Sequence, residues 1–133
     1  MANELSISAQ FQFSKENATL SAVVQAVLDV TNKNYADISM DVPVGAVTPL
    51  VYGDVDPALV GLIVIQNIGD LDVGIRTGGA ATSTWRLKAG TATEPGGVFM
   101  AYTNAEEIGD LDIEFDNLTA LDPCRVTIRM IER

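Results

Sequence analysis

The sequence predicts an all-β protein: a single-domain β-sandwich, jelly-roll-like, with about eight to ten short antiparallel strands. Apolar and polar residues alternate along many short segments, and turn-forming residues separate these segments at spacings of about ten residues. No segment is long enough for the crossover helix that neighbouring parallel strands would need. Since the chain has 133 residues, one domain over residues 1–133 is the natural expectation.

The first strand is predicted over residues 4–13. Apolar residues occupy every second position from Leu5 to Phe13, and each residue between them is Ser or Gln. This period of two is typical of a strand with one buried face. The strand either pairs within its own sandwich or engages a neighbouring subunit.

Residues 19–31 fit two patterns. Leu20, Val23, Val24, Val27 and Leu28 would form a helical stripe, whereas the even-numbered positions from 20 to 30 would form the apolar face of a strand. The polar residues all lie at odd positions, and valine is typical of strands. We therefore predict a strand here.

The centre of the chain is predicted to form a hairpin. The run that begins at Val60 is almost continuously apolar, as expected for a strand buried on both faces, and residues 67–72 supply the Asn, Gly and Asp that favour a turn. An extended segment then continues to Ile75. Shorter strands are predicted over residues 36–42, 44–52, 85–87, 98–102, 111–115 and 124–130, and Pro49 favours an edge position for the second of them.

The chain carries 18 acidic and 8 basic residues, a formal net charge of -10. Such a charge repels nucleic acids and anionic membrane surfaces, so we expect neither as a partner. With no histidine and one cysteine, the chain lacks the most common general base and zinc ligand and any internal disulfide. The N-terminus has no secretion signal and no apolar run reaches membrane-spanning length, so we expect synthesis and folding in a cytoplasm.

An acidic motif occurs twice: Ile-Gly-Asp-Leu-Asp at residues 68–72 is repeated at 108–112. Its carboxylates, Asp70, Asp72, Asp110 and Asp112, are oxygen ligands of the kind that calcium prefers, but the spacing of an EF-hand loop is absent. The competing interpretation is that each Gly-Asp pair starts a turn. We expect no cofactor, with calcium at these four residues as the alternative.

Asp110, Asp112, Glu114 and Asp116 alternate along the predicted strand over residues 111–115. They would supply either a glycosidase-like pair of carboxylates or a solvated acidic edge that discourages pairing with other molecules. We expect the acidic edge. Because the chain also lacks histidine, we expect no enzymatic activity.

The last strand carries a basic stripe, and aromatic residues are few. The stripe either pairs with a neighbouring acidic strand or contacts an acidic partner surface. Trp85, Tyr52 and Tyr102 either form a platform that stacks on a sugar or belong to the core and its rim. Cys124 lies at an apolar position of its strand, so we expect an unreactive buried thiol. The candidate partner-binding residues are Arg125, Arg129, Arg133, Trp85 and Tyr102.

Several segments resemble the small β-sandwich virion proteins of tailed bacteriophages, of the head decoration (cement) or capsid-auxiliary type. The segments are the alternating N-terminal strand, VVQAVLDVTNKNY, VTPLVYGDVDPALVGLIVIQNIGDLDVGI, WRLKAGTATEPGGVFMAY and RVTIRMIER, which cover most of the chain. The resemblance implies a jelly-roll-like fold, no catalysis, a strand over residues 19–31 and a place on the outer surface of the capsid. It also implies the major capsid protein as partner and self-association as a homotrimer.

Three functions compete at this point. The first is a structural protein that binds and stabilises a phage capsid. The second is a carbohydrate- or receptor-binding module of a tail fibre or spike, with loops 77–84 and 91–97 carrying the site near Trp85 and Tyr102. The third is a small enzyme that uses carboxylates alone. The sequence pattern and the resemblance favour the first.

Overall fold

A computed structural model describes residues 4–16, 18–30, 33–103, 112–118 and 122–133. Every described strand pair is antiparallel, which confirms the predicted all-β class. Within the described residues, no helix is long and apolar enough to span a membrane. The elements are β1 (Glu4–Lys15), β2 (Ala18–Asp29), β3 (Tyr35–Val42), β4 (Val47–Pro49), the 3-10 turn η1 (Pro57–Leu59), β5 (Val60–Asn67), β6 (Val73–Arg76), β7 (Trp85–Leu87), β8 (Val98–Tyr102), β9 (Glu114–Asn117) and β10 (Cys124–Glu132).

The chain forms two compact units, Met1–Asn32 and Lys33–Arg133. The first unit contains β1 and β2, which form a two-stranded sheet, called the ribbon below, with Glu4 opposite Asp29 at one end. Both predicted N-terminal strands are confirmed, and the ambiguous segment that begins at Thr19 is a strand. Whether β1 engages a neighbouring subunit stays a prediction.

The second unit is a sandwich of two four-stranded sheets, with strand orders β3-β10-β5-β8 and β4-β9-β6-β7. Its strands pair in a nested way about the middle of the unit: β6 with β7, β5 with β8, β4 with β9, and β3 with β10. This is one long hairpin rolled up so that β10 also pairs with β5 and β9 with β6. Eight strands arranged in this way in two sheets make a jelly roll, as predicted.

The predicted central hairpin over residues 60–75 is wrong, because β5 and β6 lie in different sheets. At the crossing, the buried Asn67 side chain donates to the carbonyl oxygens of Leu71 (2.8 Å) and Leu87 (3.0 Å) and accepts from the N–H of Gly69 (3.0 Å). These bonds satisfy backbone groups where the chain changes sheets. An apolar run followed by turn residues does not show whether the next strand pairs back or enters the opposite sheet.

The core lies between the two sheets of the sandwich, and both contribute to it. Pro49 lies in β4, an edge strand as predicted. Strand β9 begins at Glu114, later than the predicted residue 111, which lies outside the described residues. The fully buried large side chains are Phe115, Ile63, Ile65, Ile75, Ile128, Met130, Val42, Val60, Val73, Val126, Asn67 and Cys124.

Candidate interaction surfaces

The basic stripe of β10 pairs with the acidic strand beside it. The register places Arg125 opposite Asp41 and Arg129 opposite Asp37. The guanidinium Nε atoms lie 3.1 Å and 3.5 Å from the respective carboxylate oxygens. Since all four side chains are mostly exposed, each pair contributes little to stability. A role of these arginines in partner binding stays a prediction.

Arg133 follows β10 and is held by η1. Its backbone N–H donates to the carbonyl oxygen of Leu59 (2.8 Å), and its Nη2 donates to that of Ala58 (3.2 Å). Its Nε is buried and has no hydrogen-bond partner among the described residues. Arg133 is therefore bound to its own fold by two hydrogen bonds, and its role in partner binding stays a prediction.

Trp85 packs against Phe99, with ring centroids 5.1 Å apart. These residues belong to β7 and β8, the edge strands of the two sheets. Tyr102 lies three residues after Phe99, so strand alternation places it on the opposite face of β8. The structure therefore does not bring Trp85 and Tyr102 into one stacking surface. Tyr52 packs against the core, and burial raises the pKa of its hydroxyl, with a smaller effect from Asp112.

The candidate calcium ligands do not converge within the described part of the chain. Asp72 accepts from a backbone N–H (2.8 Å) and pairs with Arg86 (2.9 Å), so both of its oxygens are engaged. Asp70 is exposed, and Asp112 is exposed just before β9. Asp110 lies outside the described residues. Among the residues described, no group of three or more His, Cys, Asp or Glu side chains could hold a metal ion.

The predicted acidic edge is wrong, because β9 is an interior strand between β4 and β6. Asp116 accepts from Nη2 (2.8 Å) and Nε (3.2 Å) of Arg76 and from the hydroxyl of Ser83 (3.2 Å). About a fifth of each charged side chain is exposed. Glu114 is half-buried. The carboxylates of this segment therefore belong partly to the internal bonding of the sheet.

Cys124 is buried, as expected, and its Sγ donates to the carbonyl oxygen of Asp72 at 3.1 Å. Burial raises the pKa of the thiol, and the carboxylates of Asp72 and Asp70 raise it further. Because the thiolate is the reactive form, this environment favours an unreactive thiol.

A polar groove of about 770 Å³ lies beside the segment that leaves β5. The predicted binding loop 91–97 contributes to its wall, whereas Trp85 does not. Its polar lining includes Asp41, Gln66, Asp70, Thr91, Glu94 and Arg125.

The face of the β3-β10-β5-β8 sheet that points away from the core, called the outer face below, is largely apolar toward β5 and β8. Three of its side chains are strongly exposed: Tyr35 (75%), Val98 (55%) and Met100 (47%). The pairing register arranges this face in cross-strand rows: Tyr35, Ile131, Leu62 and Tyr102; then Asp37, Arg129, Val64 and Met100; then Ser39, Thr127, Gln66 and Val98. The sequence prediction identified the β10 charges of this surface but missed its apolar part, because alternation alone does not tell which face is covered.

The ribbon has one apolar face. Directly opposed residues of an antiparallel pair share a face, and every second pair along the strands lies on the same side. The register therefore assigns five apolar pairs to one side of the ribbon. Leu20 and Val24 on this side are 64% and 56% exposed. The five pairs are Leu5–Leu28, Ile7–Ala26, Ala9–Val24, Phe11–Ala22 and Phe13–Leu20.

Glu132 is a buried carboxylate that the sequence prediction did not identify. It accepts from the backbone N–H groups of Asp56 (2.9 Å) and Asn34 (3.0 Å) and from the Asn34 side-chain amide (3.3 Å). The bond from Asp56, followed by that from Asn34, lowers the pKa of the carboxyl group. The signal in the sequence was an acidic residue at the end of the apolar, even-numbered positions of β10.

Comparisons with protein-family models, curated proteins and solved structures found no match. The resemblance to phage virion proteins therefore stays a prediction.

Proposed function

We propose that the chain is a non-enzymatic structural protein of a tailed-phage virion that binds the outer surface of the capsid and stabilises it. The observation that carries the proposal is the outer face, where Val98 and Met100 are about half exposed on a sheet whose other face is buried in the core. The ribbon is a second surface suited to assembly, because a two-stranded sheet is marginal in water without a cover. The segments that resemble decoration proteins supply the class of assembly.

The partner is the major capsid protein, and the contact is assigned to the apolar rows of the outer face around Met100. A sheet surface with exposed apolar side chains and ion pairs along one margin has the composition of an interface with a polar rim. The net charge of -10 suits an outward-facing protein, since a position against packaged DNA would be repulsive.

Binding stabilises the capsid through mass action. A protein that binds the closed shell and not the opened one raises the free energy of opening, and each bound copy adds buried area at a junction between capsid subunits. No group of the chain needs to react for this function.

The test uses expanded capsids that lack the protein. Purified chain is added, and co-sedimentation and the temperature of capsid opening are measured. We expect saturable binding and a higher opening temperature. Met100→Asp should weaken binding about tenfold or more, because it places a charge in the contact. Val51→Asp is the control, since Val51 is equally exposed (46%) but lies outside the outer face. Failure of the unmodified chain to bind would overturn the proposal.

A second candidate function is a carbohydrate- or receptor-binding module of a tail fibre or spike, favoured by the polar groove. Its lining of carboxylates, an amide, a hydroxyl and Arg125 offers hydrogen-bond donors and acceptors of the kind that orient a sugar. Screening against a glycan array, with Glu94→Ala as the groove variant and Trp85→Ala as a variant outside the groove, tests this function. Binding that only Glu94→Ala abolishes would support it.

A further inference from the structure

We propose that the apolar face of the ribbon packs against the same face of a second copy of this chain, about a two-fold axis that runs along the ribbon. This inference deepens the proposed function, because it names the contact through which the protein self-associates. It can fail while capsid binding holds, since the capsid contact is assigned to the sandwich.

The ribbon requires a cover. Ten apolar positions lie on one face, and the side chains of Leu20 and Val24 are more than half exposed. The opposite face carries mainly Ser, Gln and Thr, with Val23 and Val27 as its apolar members. An amphipathic two-stranded sheet of this kind gains stability only when another layer buries the apolar side.

The charge distribution permits a second copy to bind at the ribbon. The four charged residues of the ribbon are Glu4, Lys15, Glu16 and Asp29, which all lie at its ends, and the central pairs of the apolar face are uncharged. Most of the net charge of -10 belongs to the sandwich. Two copies can therefore approach through their ribbons without placing a charge in the contact, whereas contact between their acidic bodies would be repulsive.

The apolar face is also complementary to itself in size. At three successive pairs a small residue lies opposite a large one: Ala26 opposite Ile7, Ala9 opposite Val24, and Ala22 opposite Phe11. A two-fold axis along the ribbon places β1 of one copy over β2 of the other at the same level. Each alanine position then lies over the position of the larger residue of the same pair in the second copy, which is the arrangement that interdigitating sheets require.

The area is sufficient for a reversible dimer. The five apolar pairs run from residue 5 to residue 13, which at a rise of about 3.3 Å is roughly 30 Å, and two strands with their side chains are about 10 Å wide. Each face therefore covers roughly 300 Å² in projection, so two faces bury an area at the low end of protein interfaces, where weak and reversible complexes lie. One such face covers another completely, which favours a pair over the trimer that the resemblance implies.

The first experiment compares two adjacent valines of the full chain by sedimentation over a range of concentrations. Val24 and Val23 are almost equally exposed (56% and 58%) but lie on opposite faces of the ribbon. We expect the unmodified chain and Val23→Asp to show twice the mass of one chain at high concentration, and Val24→Asp to remain a monomer. Trp85 fluorescence checks that the sandwich is folded in each variant.

A second experiment tests the two-fold arrangement without disturbing the ribbon by a charge. Ala9→Cys and Val24→Cys chains are mixed and treated with a short bismaleimide, since Cys124 is buried and does not compete. We expect the mixed cross-link to exceed either self-cross-link several-fold, and a Val23→Cys chain to give none. A monomer at all concentrations, a trimer, or equal loss of association in Val23→Asp and Val24→Asp would overturn the proposal. If the unmodified chain stays a monomer and Val24→Asp abolishes capsid binding, the capsid covers the apolar face of the ribbon and the proposal is wrong.

Discussion

Glu132 shows how one buried side chain can fix a junction between distant parts of the chain. Its carboxylate satisfies two backbone N–H groups, those of Asn34 and Asp56, and its own N–H donates to the carbonyl oxygen of Asn34 at 3.0 Å. We expect Glu132→Ala to lower the free energy of unfolding by about 1–3 kcal/mol, because two backbone donors lose their charged acceptor and the buried side chain leaves a gap. Urea unfolding measures the change. Asp54→Ala, at an exposed loop position, should change it much less.

The same residue gives a pH dependence. Because folding lowers the pKa of Glu132 below its ordinary value of 4.5, the stabilisation is complete above pH 4.5 and is lost as the pH falls through the lower pKa of the folded state. The difference in melting temperature between the unmodified chain and Glu132→Gln should therefore shrink under acid conditions. A difference that stays constant between pH 7 and strong acid would contradict this assignment.

Gly96 is required by close backbone approach. A Cβ atom at this position would overlap the carbonyl oxygen of Asn67. The backbones also meet at the next residue, where the N–H of Asn67 donates to the carbonyl oxygen of Gly97 at 2.9 Å. We expect Gly96→Ala to cost about 1–3 kcal/mol of stability in thermal or urea unfolding, as overpacking generally does. Gly79→Asn is the comparison, since an added Cβ atom there has no atom within 4 Å and Asn tolerates the positive φ of 67°.

At the scale of elements, ion pairs differ according to the strands that hold them. Asp116 of β9 lies in an interior strand and accepts three hydrogen bonds, whereas Asp37 of β3 lies in an edge strand and forms one exposed pair. We expect Asp116→Asn to destabilise the sandwich by about 1–3 kcal/mol and Asp37→Asn by less than about 1 kcal/mol. Equal losses in urea unfolding would show that strand position does not matter here.

The elements also show what the sequence could predict. The alternation of apolar and polar residues identified β1, β3 and β10, because each of these strands has one apolar face. The valine content of β2 favoured a strand over a helix. The crossing after β5 could not be predicted, since Asn67 defines it through bonds to Leu71 and Leu87 that only the folded chain brings together. The cross-strand partners of Arg125 and Arg129 were foreseen as one of two alternatives, whereas the buried role of Glu132 was not.

At the scale of the whole molecule, nested pairing predicts slow folding. Strand β10 must find β3, so that Ile128 comes to lie opposite Ile38 from the other end of the unit. Folds dominated by such distant pairs form in about milliseconds to seconds. Stopped-flow refolding, followed by the fluorescence of the single tryptophan beside Phe99, should show this range. Complete recovery of the signal within microseconds would contradict it.

The burial of Cys124 provides an internal probe of how often the sandwich opens. Only 1% of this residue is accessible, and it is the sole cysteine of the chain, so alkylation by a small reagent has to wait for the sheets to separate. The rate at which the chain gains mass from an alkylating reagent thus measures how frequently the jelly roll opens in the absence of denaturant. Ligands or assembly states that hold the sheets together will register as a slower gain.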